Sequence, residues 1–156
     1  MKKFKGFTSQ QEKNFFSILK KQNDKELDKL FSNLHEEAFA HINCMDCGNC
    51  CKSLPPIINN TDIARISKYL RLKDSEFRVN YLTIDDEDLV FKKTPCVFLE
   101  PDNSCLIYDV RPRSCKEYPH TQRDNMKGIL HLTFRNATVC PAVKEILEKL
   151  RLHFKI

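Results

Sequence analysis

The side chains with the most chemistry to offer lie in one short run, Cys44-Met45-Asp46-Cys47-Gly48-Asn49-Cys50-Cys51, which places four thiols in eight positions. A C-x2-C spacing lets a chain fold back so that both sulfurs reach one metal, and Gly48 opens backbone conformations closed to other residues. Two species suit such a run: C-x2-C is the spacing of zinc knuckles, and C-x2-C-x2-C is how ferredoxin-like chains hold three corners of a [4Fe–4S] cluster. The adjacent pair Cys50-Cys51 adds a constraint. In extended backbone neighbouring side chains point to opposite faces, so one of the two is expected to serve a second ion or to bridge two metals. Cys96, Cys105, Cys115 and Cys140 bring the total to 8 cysteines, enough for two four-thiolate sites.

Cations flank the later thiols. Arg111, Arg113 and Lys116 stand beside Cys115, where positive charge offsets that of a thiolate-bound metal and N–H groups reach its sulfurs. The competing expectation for Arg111 is a structural one, with Arg111-Pro112 fixing a turn and the guanidinium held by Asp109 or a helix carboxylate. His120 follows Tyr118-Pro119 and is a candidate ligand or proton carrier beside Cys115, set against the commoner role of a surface or satisfied core histidine. His35, His41, His131 and His153 fall on expected helices or a strand and carry no such expectation. Asp85-Asp86-Glu87-Asp88 reads as a solvated turn.

Composition narrows the setting. Of 156 residues 41% are hydrophobic and 30% charged, enough apolar material for a core and too much for a disordered chain. No stretch approaches the roughly 20 apolar residues of a membrane span, and Met1-Lys2-Lys3-Phe4-Lys5-Gly6 runs on without a signal-peptide core, so the expected location is cytoplasmic. In a reducing compartment a cysteine cluster is a metal or redox site more often than a disulfide framework. The formal charge of +5 counts thiols as neutral; eight thiolates holding two dications would bring it to about +1, which removes most of the electrostatic case for nucleic acid despite Lys2, Lys3 and Lys5. A thiol oxidoreductase built on Cys44 and Cys47 would need only one C-x2-C, in a strand-to-helix setting that is missing.

These residues need elements to position them. From 8 to 41 the apolar positions Phe15, Phe16, Ile18, Leu19, then Leu27, Leu30, Phe31, Leu34 and Ala38 recur at helical spacing, predicting two amphipathic helices with Thr8 or Ser9 capping the first and Asn23-Asp24 ending it and capping the second. Residues 42–60, with Gly48, Pro55-Pro56 and Asn59-Asn60, read as an irregular loop. Asn60-Thr61-Asp62 is expected to cap a helix carrying Ile63, Ile66 and Leu70, and Asp74 a short one around Phe77. Leu82 to Lys93 and Cys96 to Tyr108 read as extended, with Glu100-Pro101-Asp102-Asn103-Ser104 as a hairpin turn that sets Cys96 and Cys105 diagonally on one face, roughly 7–8 Å apart. Ile129 to Phe134 reads as a further strand and Val139 to Phe154 as a helix. The expected fold is α+β: a small, mainly helical single domain over residues 1–156, with a helical part at 8–41, a cysteine-cluster part at 42–141, a terminal helix at 139–154, a short antiparallel β-hairpin and an irregular centre organised by metal.

The string Cys44-x2-Cys47-Gly48-x-Cys50-Cys51, then Cys96, then Cys105-Leu106-Ile107-Tyr108-x2-Arg111-Pro112-x2-Cys115-x2-Tyr118-Pro119, with a trailing Cys140-Pro141, resembles the YkgJ-type cysteine-cluster family, also called the zinc- or iron-chelating CxxCxxCC domain. The resemblance implies chelation by those cysteines of Zn2+ or of iron as an iron–sulfur cluster. A similar cluster occurs in flagellin lysine N-methylase, which gives as alternative a metal-dependent enzyme component in redox chemistry or methyl transfer, although the chain has no glycine-rich loop for a nucleotide or S-adenosylmethionine. The expected function is therefore that of a cytoplasmic metal-binding protein, with a protein partner where the centre is structural.

Overall fold

Helical periodicity dominates residues 9–155, the part of the chain that the computed structural model describes. In chain order the elements are α1 (Ser9–Lys21), α2 (Asp24–Phe39), α3 (Cys44–Cys47), α4 (Asn49–Ser53), α5 (Asn60–Leu70), α6 (Asp74–Tyr81), β1 (Leu82–Asp85), β2 (Asp88–Phe91), α7 (Arg113–Glu117), α8 (Leu130–Asn136) and α9 (Pro141–His153). Two 3-10 turns, Tyr108–Val110 and Met126–Ile129, precede α7 and α8. The architecture is the expected α+β, mostly helix with one two-stranded antiparallel hairpin. The chain forms two compact units: Cys44–Tyr118 makes one, and the segments on either side of it, up to Asn43 and from Pro119, make the other.

The unit built from the flanking segments is helical because its apolar stripes recur every three to four residues. Phe15 and Leu19 of α1, Leu27, Phe31, Leu34 and Ala38 of α2, and Val143, Ile146, Leu147 and Leu150 of α9 are all buried, and α2 packs along α9. Asn23 has extended backbone, and its side-chain oxygen accepts from the N–H groups of Lys25 and Glu26, starting α2 where expected. The expected caps of α1 lie outside the described residues for Thr8, and for the Ser9 side chain as well. Ile129 to Phe134 is helix rather than strand. The residues buried there, Leu130, Thr133 and Asn136, are spaced three apart while Leu132 is exposed, a period of 3.6 and not 2.

The Cys44–Tyr118 unit closes around Ile58, Ile63, Ile66, Phe77, Leu82, Phe91, Phe98 and Ile107, with Cys96 and Cys105 packed against the edge of this cluster. Its hairpin forms at the acidic run that was read as a solvated turn, and not at Glu100–Ser104. β1 and β2 pair in the register Leu82↔Phe91, Thr83↔Val90, Ile84↔Leu89 and Asp85↔Asp88, so the acidic run is the hairpin turn, with Asp86 at positive φ. Cys96 to Tyr108, expected as two strands, forms only the single bridge Leu99↔Cys105. Tight turns at either end account for this, since Leu99 N–H donates to the Cys96 carbonyl and Tyr108 N–H to that of Cys105. Among the described residues no helix is long and apolar enough to cross a membrane.

Candidate metal centre

The run from Cys44 to Cys51 is not an irregular loop but two short helices, α3 and α4, joined at Gly48. Gly48 sits in the left-handed region at φ +57, and a Cβ there would lie 2.8 Å from Oδ1 of Asn103. Only glycine meets both demands, of backbone hand and of space. Its N–H closes α3 on the Cys44 carbonyl at 2.9 Å, and its carbonyl opens α4 by accepting from Lys52 N–H at 3.0 Å. The Lys52 ammonium returns to the Cys47 carbonyl at 2.9 Å.

Helical backbone changes what the adjacent cysteines do. Successive residues of a helix project only about 100° apart, and the Cys50 and Cys51 sulfurs stand 3.9 Å from one another. The expectation of opposite faces assumed extended backbone and does not hold in α4. With metal–sulfur bonds of about 2.3 Å, two corners of a tetrahedral thiolate site lie about 3.8 Å apart, so this pair already has the separation of two ligands on one ion.

The remaining thiols of this unit gather electrostatically on Cys51. The Cys50 and Cys51 sulfurs share a hydrogen bond, which holds the Cys51 thiol below its ordinary value and Cys50 above it. Burial raises Cys44, Cys96 and Cys105, and the charge of a Cys51 thiolate raises each further. Cys115 is pushed up to about 12, by burial first and then by the charges of Cys51, Cys96 and Cys105. Cys47 acts on Cys44. The amide of Cys96 is fixed to the Cys51 carbonyl at 2.8 Å. The charge at Cys51 thus bears on Cys44, Cys50, Cys96, Cys105 and Cys115.

Arg111 is the cation of this neighbourhood. Its charge favours the thiolate at Cys51, and it opposes the upward shifts at Cys44, Cys105 and Cys115. Its Nε donates to the Tyr108 carbonyl at 2.9 Å rather than to Asp109, and its guanidinium lies 3.6 Å above the Tyr108 ring. Arg113 differs, because its guanidinium pairs with Glu117 at 2.5 Å on the exposed side of α7. His120, at positive φ, and Cys140 belong to the other unit. Cys140 is the buried N-cap residue of α9; its N–H donates to Asn136 and its carbonyl accepts from Lys144.

Among the described residues no three His, Cys, Asp or Glu side chains are drawn close enough to hold one ion. The donor set nevertheless fits: soft thiolates are the ligands of zinc and of iron–sulfur clusters, and here they stand together beside a cation. Sequence reading took Asp62 only as a cap and gave Arg65 no role, although their i, i+3 spacing was the signal for a pair. Together they hold the turn that leads to Cys115.

Set against known families, residues 43–141, well over half the chain, match the family described as CxxCxxCC, a zinc- or iron-chelating domain. No curated protein and no solved structure matches the chain.

Proposed function

The chain belongs to the CxxCxxCC family of zinc- or iron-chelating domains, and from that premise we propose that it chelates iron, as an iron–sulfur cluster, through the thiolates centred on Cys51. The observation that supports this reading is that seven thiols lie in the Cys44–Tyr118 unit, where the Cys50 and Cys51 sulfurs are 3.9 Å apart and the Cys96 amide is bonded to the Cys51 carbonyl. More thiols are grouped there than one tetrahedral ion takes, which fits a polynuclear centre. Cys47 completes the local C-x2-C-x2-C run, and Cys140 belongs to the other unit.

A bound cluster would supply one-electron chemistry at a potential set by charge and hydrogen bonds around its sulfurs. The chain's own residues do the rest. Gly48 aims α3 and α4, Cys51 is the thiol lowered by the hydrogen bond it shares with Cys50 and by the charge of Arg111, and Arg111 offsets the accumulated negative charge. Ile107 and Phe98, next to Cys105 and Cys96, are buried and give the site a water-poor floor. A reducing compartment such as the cytoplasm suits this chemistry, because thiols stay reduced there.

Zinc is the second reading, favoured by one observation: the 3.9 Å between the Cys50 and Cys51 sulfurs is the ligand separation of a mononuclear tetrathiolate. With every position filled by protein such a centre is structural, and the function then lies in binding a protein partner. Elemental analysis and an absorption spectrum on protein purified without oxygen separate the two. Iron with inorganic sulfide and a broad visible absorption supports the cluster. Colourless protein with stoichiometric zinc replaces it with the structural site, and protein that retains neither metal overturns both.

A further inference from the structure

Asp62 is a carboxylic side chain only 1% exposed. It occupies the third position of α5, where its Oδ2 accepts from the Asn59 N–H at 3.3 Å while the Asn59 side chain accepts from the Asp62 N–H at 2.8 Å. That reciprocal pair is a capping box, and helix α5 needs nothing more from this carboxylate. The other oxygen is used elsewhere. Asp62 Oδ1 accepts from the Arg65 guanidinium at 2.5 Å and from the backbone N–H of Arg113 at 3.1 Å, 51 positions along the chain.

Arg65 reaches the same distant turn from the other side. Its Nη2 donates to the Arg111 carbonyl at 2.7 Å and its Nε to the Val110 carbonyl at 3.4 Å. The ion pair therefore grips residues 110–113 through both kinds of backbone group, two carbonyls by the guanidinium and one N–H by the carboxylate. A planar fork of fixed geometry suits this task, and an ammonium does not reproduce it. The base of the grip is rigid, since Ile63 and Ile66 of α5 are wholly buried in the core of this unit.

What the grip holds is the bend between two thiols. Residues 110–113 separate Cys105 from Cys115, carry Arg111 and start α7, whose first N–H groups return to the Pro112 carbonyl. Ser114 adds a bond from its hydroxyl to the Ile57 carbonyl. The bonds of Arg111 to Tyr108 and of Ser114 to Ile57 shape the turn itself; the grip ties it to helix α5, and so helps to set where Arg111 and Cys115 stand.

We propose that the Asp62–Arg65 ion pair, whose carboxylate is buried, is a positioning device for the metal centre, acting through the 110–113 turn to set both metal affinity and the electronic environment of the bound ion. Neither residue touches the metal. The inference rests on the chelating function proposed above and adds to it two residues outside the cysteine motif. Groups of this kind change metal affinity by about 10–100-fold when removed.

The test uses full-length apoprotein, titrated with Co2+ in competition with a chromophoric chelator, for the wild type, Arg65→Lys, Arg65→Gln and Asp62→Asn. Arg78→Gln, which removes an exposed bond to Asn60, is the control. The expected result is about 10–100-fold weaker Co2+ binding in all three variants, Arg65→Lys included, with the ligand-field absorption of the saturated protein altered in shape. Far-ultraviolet circular dichroism of the apoproteins should remain that of the wild type. Should Asp62→Asn or Arg65→Gln not fold, Arg65→Lys, which keeps the charge, decides alone. Folded variants that bind Co2+ as the wild type does, with the same spectrum, overturn the inference; so does weaker binding that Arg65→Lys restores in full, because charge alone would then suffice. Wild-type protein that binds no Co2+ and carries no metal on isolation overturns the chelation reading instead.

Discussion

The amide of Cys96 donates to the carbonyl of Cys51 at 2.8 Å, so the last residue of the local cysteine run is tied through backbone to the first of the distant thiols. The bond is made by backbone groups, and neither cysteine is in a disulfide. Substituting either side chain leaves it intact, which makes thiol replacement a clean probe of the site.

Cys51→Ser should accordingly cost more metal than Cys47→Ser. Cys51 faces five other thiols, whereas Cys47 acts on Cys44 alone among the shifts described. Metal content measured after gel filtration should fall to a small fraction in Cys51→Ser and to an intermediate value in Cys47→Ser. Both variants should lose thermal stability relative to the loaded wild type, because metal bound only by the folded chain stabilises that chain. Equal metal retention in the two would remove Cys51 from the centre.

Arg111 and Arg113, two positions apart, should behave oppositely. Arg111→Gln removes the cation that favours thiolates at Cys44, Cys51, Cys105 and Cys115 and should weaken metal binding by about tenfold or more. Arg113→Gln breaks an exposed, solvent-screened pair with Glu117 and should leave metal affinity unchanged. Competition titrations on both proteins provide the comparison.

Alkali should destabilise the apoprotein. Burial holds Cys115 at about 12 against an ordinary 9.0, and also raises Cys44, Cys96 and Cys105. The folded state therefore keeps protons that the unfolded chain has already released. Its stability is complete below the ordinary thiol value and declines as pH rises from there towards about 12. Thermal melts of reduced apoprotein between about pH 8 and about pH 10 should show the decline, and Cys115→Ser should make it shallower. A midpoint that stays level over that range would contradict the burial of these thiols.

Gly48→Ala places a side chain at φ +57 and against Asn103. The backbone cost alone is about 1–2 kcal/mol, and re-aiming α3 against α4 should weaken metal binding as well. Asn23→Ala offers the contrast: loss of the α2 cap should cost about 1 kcal/mol in chemical denaturation and leave the metal site alone.

The helices were legible where side chains repeat with a helical period and a short polar residue marks the start, as Asn23 does for α2. The thiols were legible because their spacing is itself the chemistry. Position along the backbone was harder to read. Glu100 to Ser104 has the composition of a hairpin turn, yet the ladder formed at Asp85–Asp88, because turn propensity names bends and leaves open which flanking segments pair. α3 and α4 were missed since four or five residues give no period to detect. Asp62 and Arg65 were hidden for another reason: their partners at 110–113 are brought near only by the fold.

The seven-thiol unit, Cys44–Tyr118, interrupts the other one, whose two halves lie at either end of the sequence. Helix α2 leaves the ribosome early, but α9, against which it packs, follows about a hundred residues later; the Lys149–Glu37 ion pair spans 112 positions. The intervening chain is a loop whose closure costs entropy, and a loop already folded into a compact body with its ends defined costs less to close. Metal capture by the cysteines during synthesis would shorten the wait of α2 for its partner, so metal starvation should register first as exposed helix surface and proteolysis in the segment that contains no thiol at all.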